Sequence, residues 1–221
     1  MRIVFLLFVG LGGAAVLISL GVWQVQRLAW KEGVLAEIEA SISAAPVEVP
    51  AASDEADRYL SVLADGVLGE DELHVLASAK QFGAGYRVIR AFDLGDRRVM
   101  VDLGMVRPEG KGAERPGGEM RILGNLHWPD EVDSFTPEND VAGNIWFARE
   151  VDVMAEALGT EPILIVARET SPPVPGVFAF PVDTSGIPND HLGYAATWLG
   201  LAAVWLSMAG LFLYRSRRKT A

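Results

Sequence analysis

The sequence contains no cysteine and only three histidines, and these two shortages narrow the chemistry that the chain can support. Without cysteine there are no disulfides, thiolate metal sites, iron–sulfur clusters or covalent c-type haem attachments. The histidines, His74, His127 and His191, are widely spaced, and no nucleophile–base pair, carboxylate pair or metal cluster stands out beside them. We therefore do not expect an enzyme.

Charge is absent from two long apolar segments, residues 3–23 near the start of the chain and residues 192–214 near its end. They contain 21 and 23 residues, and roughly 20 residues are enough to cross the hydrocarbon core of a bilayer. The sequence therefore predicts two transmembrane helices, at residues 3–23 and 191–214.

The first apolar segment has two competing interpretations. Arg2 before an apolar run is typical of a cleaved signal peptide, but this run is too long for one. Gly10, Gly12 and Ala15 match the G-x-G-x-x-A pattern of a dinucleotide-binding turn, with Glu32 about 20 residues further on. An uncharged run of 21 residues favours the membrane helix over both.

Small residues four positions apart occur in both apolar segments. They are Gly10 with Ala14 in the first and Ala196 with Gly200 in the second. Such pairs let membrane helices approach closely, so they predict the faces through which the two helices pack together.

Acidic residues are absent from both ends of the chain, and all 29 lie between Glu32 and Asp190. Five basic residues flank the apolar segments on the terminal side, which places residues 1–2 and the basic tail, residues 215–221, in the cytoplasm. Subtracting these five from the total of 19 leaves 14 basic against 29 acidic residues, a formal charge near −15. Such an acidic extracytoplasmic part argues against nucleic acid as a partner and leaves the lipid bilayer as the expected one.

The part between the membrane segments has the length of one domain. Residues 24–57 predict an amphipathic stalk and a linker, because apolar residues recur at helical spacing and two prolines, Pro46 and Pro50, end the pattern. The apolar positions are Val34, Ile38 and Ile42. Residues 58–190 then form the domain proper.

Within this domain short β-like segments alternate with turns rich in Gly, Asp and Pro. The candidate strands are residues 59–68, 73–77, 86–92, 98–103, 120–128 and 163–166. Residues 163–166 are apolar throughout, which is typical of a central buried strand, and residues 151–158 predict a short helix ended by Gly159. The fold class is α+β, with a mostly antiparallel sheet between two membrane helices.

Two histidines lie in the candidate strands. His74 follows Glu72, and His127 alternates away from the apolar face that contains Leu126 and Trp128. Both are expected to face solvent.

His191 lies where the second membrane helix begins, because Pro188, Asn189 and Asp190 are helix-start residues. A neutral imidazole offers the lone pair that a metal ligand needs. The side chains of Tyr194 and Trp198 follow at i+3 and i+7 on the same face, where a planar apolar ligand could lie. An aromatic belt with an interfacial histidine accounts for the same pattern.

The matching end of the first helix has Trp23, Gln24, Arg27, Trp30 and Lys31. Arg27 and Lys31 are one helical turn apart, so they could pair with two carboxylates of a bound cofactor. Binding of lipid phosphates explains the same two cations.

Four segments resemble the surfeit locus protein 1 family, and together they span nearly the whole chain. They are Leu-Gly-Val-Trp-Gln-Val-Gln-Arg-Leu-Ala-Trp-Lys at 20–31, Phe-Thr-Pro-Glu at 135–138, Asn-Ile-Trp-Phe-Ala-Arg at 144–149, and Ile-Pro-Asn-Asp-His-Leu-Gly-Tyr-Ala-Ala-Thr-Trp at 187–198. Two of these signatures lie at membrane boundaries in the family's order, which makes the resemblance more specific than any single short motif.

The resemblance implies an assembly factor for cytochrome c oxidase that helps to build the haem a and copper centre of subunit I, with haem a synthase as a further partner. It implies that His191 binds the haem a iron as an axial ligand, with the haem ring beside Tyr194 and Trp198. Trp23, Gln24 and Arg27 then become parts of the same cofactor site instead of lipid anchors. No Arg-rich, acid-poor transit segment precedes the first helix, so we expect a bacterial inner membrane protein with a periplasmic domain.

One departure from the family pattern lies at residues 101–108. An Asn or Asp followed by Arg-Gly is expected there, in a turn, whereas this chain has Asp102, Leu103 and Gly104. The missing arginine weakens any role that the resemblance would give to this segment.

Two other functions remain open at this point. The chain could be a scaffold that holds oxidase subunits together through its acidic domain and never binds haem. It could also be a tethered envelope hydrolase, although only Ser171 or Ser185 near the proline-rich loop offers a nucleophile.

Overall fold

The structure is a computed structural model of the chain and describes residues 2–80 and 82–218. Met1 and the last three residues of the predicted basic tail, 219–221, lie outside the described residues. Contacts divide the chain into two compact units: Met1–Glu37 with Thr184–Ala221, and Ile38–Asp183.

Two long helices lie at the two ends of the chain. Helix α1 comprises Arg2–Ser43 and helix α3 comprises His191–Arg218. Both are long and apolar enough to cross a membrane, which confirms the prediction of a membrane helix at each end of an α+β protein. Helix α1 continues well past its apolar part and ends three residues before Pro46, which cannot continue a helix.

Five strands form a closed barrel between these helices. Their bounds are β1 Ser61–Ala79, β2 Gly83–Asp93, β3 Arg98–Val106, β4 Gly118–Leu126 and β5 Leu164–Ser171. The order around the barrel is β1-β2-β3-β5-β4. Every neighbouring pair is antiparallel except β3 and β5, so the prediction of a mostly antiparallel sheet is confirmed.

The first strand differs from the prediction, which divided it into residues 59–68 and 73–77. In the structure β1 is continuous over 19 residues, and its pairing with β2 shifts register between Leu68 and Glu72. Gly69 and the three acidic residues after it interrupt the apolar pattern without ending the strand, as in a β-bulge. The strand changes partner there: residues 61–68 pair with β4 and residues 67–79 pair with β2.

Two smaller predictions about the barrel unit are confirmed. Residues 163–166 are buried, and β5 lies between two neighbouring strands. Helix α2, Val151–Leu158, buries four apolar side chains against the barrel core. It ends at Gly159, whose φ of 62° is in the left-handed region that glycine adopts readily.

The last turn of α1 belongs to the barrel unit. The backbone carbonyl of Ile42 accepts hydrogen bonds from Asn125 Nδ2 at 3.1 Å and from an Arg168 guanidinium nitrogen at 2.7 Å. Carbonyls at the end of a helix have no partner within it, so side chains from β4 and β5 satisfy this one. Two barrel strands therefore fix the end of α1.

Candidate functional site

His191 is the first residue of α3. Asp190 precedes the helix, and its backbone carbonyl accepts the first hydrogen bond of the turn, from Tyr194 N at 3.2 Å. The imidazole therefore lies at the N-terminal end of α3, the end nearer to the barrel unit in the sequence. Its ring is half-buried.

The imidazole of His191 contacts Gln24 of α1. The distance from His191 Nδ1 to Gln24 Oε1 is 2.8 Å, and only 8% of Gln24 is exposed. An amide oxygen can only accept a hydrogen bond, so Nδ1 carries the proton and donates it. This tautomer has its lone pair on Nε2, the arrangement found in histidine ligands whose other nitrogen is held by a second residue.

Helices α1 and α3 contact each other through a face of α1 that is lined with glycines. A Cβ atom at Gly13 would lie 2.6 Å from the Trp205 indole ring, and one at Gly21 would lie 2.7 Å from a Leu199 methyl carbon. The Trp205 indole N–H also donates to the carbonyl of Gly10 at 2.9 Å. Large side chains of α3 therefore fill the space that the glycines of α1 leave.

The predicted contact face is confirmed on α1 and is wrong on α3. Gly10 and Ala14 are buried, whereas Ala196 and Gly200 are exposed. The buried small residues of α3 are Ala195 and Ala202. The contact face starts at His191 and continues at i+4 and i+11, and Ala196 lies about 100° round the helix from Ala195.

The other predicted site residues surround this contact with different degrees of exposure. Trp23 and Tyr194 are 51% and 56% exposed, and Trp198 is half-buried. Arg27 is exposed, and its guanidinium lies 4.2 Å from the centroid of the Trp30 ring. The structure thus brings His191 and Gln24 together, while the aromatic side chains and the cation offer open surface for a ligand.

A profile of the SURF1 family matches residues 11–203, which are most of the chain and include part of each membrane helix. The chain belongs to the SURF1 family.

Individual relatives agree with this assignment. Surfeit locus protein 1 of Xenopus tropicalis is 32% identical over 207 residues, which cover 81% of this chain and 66% of that protein. The human protein of the same name is 31% identical, with 81% and 68% covered, and the rat protein is 30% identical, with 87% and 69% covered. The chain spans about two thirds of the length of these SURF1-family relatives.

Arg149, the last residue of the SURF1-family signature at 144–149, belongs to an ion cluster that the sequence did not indicate. Arg149 contacts Glu131 at 2.5 Å and Asp102 at 3.2 Å. Asp102 is fully buried and also contacts Arg87 Nε at 2.5 Å. Residues so far apart in sequence gave no local signal of this cluster.

Burial and mutual pairing shift the pKa values of Glu131 and Arg87 in this cluster. Burial raises the pKa of Glu131, but the hydrogen bonds and positive charge of Arg149 outweigh it and hold that pKa below its usual value. Burial also lowers the pKa of Arg87, and the negative charge of Asp102 opposes this effect. The mutual pairing of these groups offsets part of the cost of removing them from water.

Asp102 lies in the segment where the chain departs from the SURF1-family pattern. That segment forms β3 and not a turn, and Leu103, where the arginine was expected, is buried in the barrel core. Arg87 and Arg149 instead supply the positive charges beside Asp102. The aspartate therefore has a structural role that does not depend on the missing arginine.

The prediction that His74 faces solvent is wrong. His74 is only 5% exposed, and its ring contacts Asn144 Nδ2 at 3.1 Å through Nδ1 and Glu72 Oε1 at 2.9 Å through Nε2. Asn144 Nδ2 also donates to the backbone carbonyl of Glu72. Alternation along a strand predicts two faces, but it does not show that a loop with Asn144 and Trp146 covers the second one.

The same prediction is wrong for His127, which lies one residue beyond β4. Its ring is half-buried and lies 5.6 Å from the Tyr59 ring, centroid to centroid. Burial, aided by the positive charges of Arg149 and Arg58, lowers the pKa of His127 to about 4. The strand has ended at Leu126, so strand alternation no longer determines where this side chain lies.

The lowered pKa of His127 predicts acid sensitivity. Above about pH 6.5 the imidazole is neutral in both states, and between about pH 6.5 and 4 only the unfolded chain takes up a proton, so stability falls as the pH falls. The lowered pKa of His127 corresponds to about 3 kcal/mol of unfolding free energy, which partial exposure of the ring reduces to about 2 kcal/mol. Denaturant unfolding of wild type and His127→Leu at about pH 7.5 and pH 4.5 should show a smaller loss in the variant. An equal loss would contradict the prediction.

Metal binding by clustered side chains has no support in residues 2–80 and 82–218, where no three His, Asp or Glu side chains are grouped around a possible ion site. A single histidine with a free lone pair suits a metal whose other ligands come from a macrocycle. His191 is the residue in the SURF1-family signatures that meets this requirement.

Proposed function

We propose that this SURF1-family protein is an assembly factor for cytochrome c oxidase that holds haem a at the membrane interface and aids its insertion into subunit I. The observation that carries the proposal is the hydrogen bond from His191 Nδ1 to Gln24 Oε1. Haem a is the cargo of this protein and is not chemically changed by it.

The hydrogen bond supports binding of haem iron because it orients the imidazole before the cargo arrives. Gln24 holds Nδ1 as the protonated nitrogen, so Nε2 is the ligand atom. Since Gln24 is almost completely buried between the helices, its amide has little freedom to turn away. His191 is therefore already oriented to act as an axial ligand of the haem iron.

The surrounding residues suit the rest of the haem. Tyr194 and Trp23 offer exposed aromatic surface to a planar apolar ring. The Arg27 guanidinium lies over the Trp30 ring, and its N–H groups can bind a carboxylate. An apolar tail would remain in the lipid beside α3.

The proposal includes the location of the protein and its partners. We place it in a bacterial inner membrane with both termini in the cytoplasm and the barrel in the periplasm, which agrees with the basic residues at both ends of the chain. Subunit I would receive the haem, and haem a synthase would supply it. The protein would act as a carrier and not as an enzyme.

The test is the absorption spectrum of the protein purified after coexpression with haem a synthesis. We expect His191→Ala to lose most of the bound haem, and added imidazole to restore part of it. Gln24→Leu should reduce haem retention by at least about 10-fold, because loss of a residue that orients a metal ligand weakens binding by about 10- to 100-fold. Leu192→Ala, the adjacent exposed position, is the matched control and should keep its pigment.

Two outcomes would contradict the proposal. An unchanged spectrum in His191→Ala would remove His191 as the iron ligand. Copurification of oxidase subunits with a wild-type protein that contains no pigment would instead support the scaffold without haem.

A further inference from the structure

Phe135 is 88% exposed, and no large apolar side chain in the described part of the chain is more exposed. It lies in the barrel unit, outside both membrane helices, so lipid around a helix does not account for it. Val132 and Val141 in the same loop are also exposed, at 50% and 68%. Three exposed apolar side chains in one loop outside the membrane helices make the loop a candidate interaction site.

The loop that presents Phe135, residues 129–147, is held at its base. Arg149 pairs with Glu131 through its side chain and its backbone N–H, and backbone hydrogen bonds of 2.9 Å join Asp140 and Ile145 in both directions. At the other side of the loop Asn144 contacts His74 on β1. These contacts fix both ends of the loop to the barrel.

The tip of the loop is fixed as well. The carboxylate of Asp133 accepts a hydrogen bond from Phe135 N at 2.8 Å, and Asp133 N donates to Thr136 Oγ1 at 2.9 Å. These bonds form an Asx-type turn that restrains the backbone at Phe135. An aromatic side chain on a rigid turn loses little entropy on binding, which is the property of an interface anchor.

Charge indicates what Phe135 binds. Loop 129–147 contains five acidic residues and no basic one. An anionic bilayer surface would repel this loop, so the partner is a protein. Electrostatic complementarity further requires lysine or arginine around the pocket that takes the ring.

We propose that loop 129–147 is a docking element whose anchor, Phe135, inserts into an apolar pocket rimmed by lysine or arginine on a partner protein. The acidic side chains around the anchor, among them Asp130 and Glu138, align with the basic rim of the partner. This interaction does not depend on His191 or on haem.

The experiment uses the full-length protein in its native membrane, with a photoreactive phenylalanine analogue at position 135. The matched control carries the same analogue at Val153, an apolar residue that is 43% exposed on α2. We expect a protein adduct at position 135 and none at 153. Mass spectrometry should place it in a partner segment that combines apolar residues with lysine or arginine.

A charge reversal makes the test specific to the proposed pocket. Glu138→Lys, which leaves the Asp133 turn intact, should reduce the adduct several-fold, and so should high salt. Adducts with lipid alone, equal adducts at 135 and 153, a partner segment without basic residues, or an adduct unaffected by Glu138→Lys would each overturn the proposal. His191→Ala should keep the adduct, which separates this interaction from haem binding.

Discussion

Asp102→Ala is expected to destabilise the barrel by about 3–5 kcal/mol, the cost of breaking a buried ion pair by removing one partner. The side chain of Asp102 is fully buried between Arg87 and Arg149, and without it both guanidinium groups lose their shared carboxylate. Arg149 keeps Glu131, whereas the Arg87 side chain keeps only the backbone carbonyl of Phe180 among its hydrogen bonds in the described part of the chain. Denaturant unfolding of the full-length protein in detergent, followed by tryptophan fluorescence, measures the change.

Asp65→Ala is the matched control for this prediction. Asp65 contacts Arg121 at 2.7 and 3.1 Å across β1 and β4, but both side chains are more than half exposed. Water solvates both groups when the pair is broken, so we expect no measurable shift of the unfolding midpoint. Similar losses of stability in the two variants would show that burial of the Asp102 cluster does not increase its contribution to the stability of the barrel.

The parts of the fold that could be predicted from sequence are those that depend on local patterns. The apolar runs predicted both membrane helices, and the four apolar residues of α2 with Gly159 predicted that helix and its end. These features need only neighbours within a few turns. Closure of the barrel depends instead on the parallel pairing of β3 with β5. These strands are separated by about 60 residues of chain, and no local sequence pattern indicates that they pair.

The errors on the histidines and on α3 have a common origin. Helical and strand periodicity predict which residues share a face, but not which face another part of the chain covers. The loop with Asn144 covers His74, and Trp205 sets the contact face of α3. In the candidate site the sequence indicated that Gln24 and His191 lie at corresponding ends of two packed helices. Prediction of their hydrogen bond would require the rotation of each helix about its axis, which only the structure shows.

Gly13→Leu is expected to separate α1 from α3, because a Cβ atom at this position would lie 2.6 Å from the Trp205 ring. Overpacking of this kind costs about 1–3 kcal/mol, and lipid provides no hydrophobic force to hold the helices together. Since the chain has no cysteine, Gly10→Cys with Ala209→Cys gives a clean report of pairing. Cβ atoms at these positions would be 3.0 Å apart. Disulfides need about 3.5–4.5 Å, so a small outward shift of the two helices allows the bridge to form. We expect Gly13→Leu to lower the disulfide yield about 10-fold.

Gly12→Leu is the control that separates loss of packing from the general effect of a larger residue in the helix. Gly12 directly precedes Gly13 in α1, and a Cβ atom there would meet nothing within 4 Å. Its disulfide yield should therefore match that of the parent cysteine pair. Haem retention adds a second readout, because the contact of Gln24 with His191 depends on the same helix pairing. If Gly13→Leu lost pairing and yet kept haem, the ligand site would not require Gln24, and orientation of His191 would need another source.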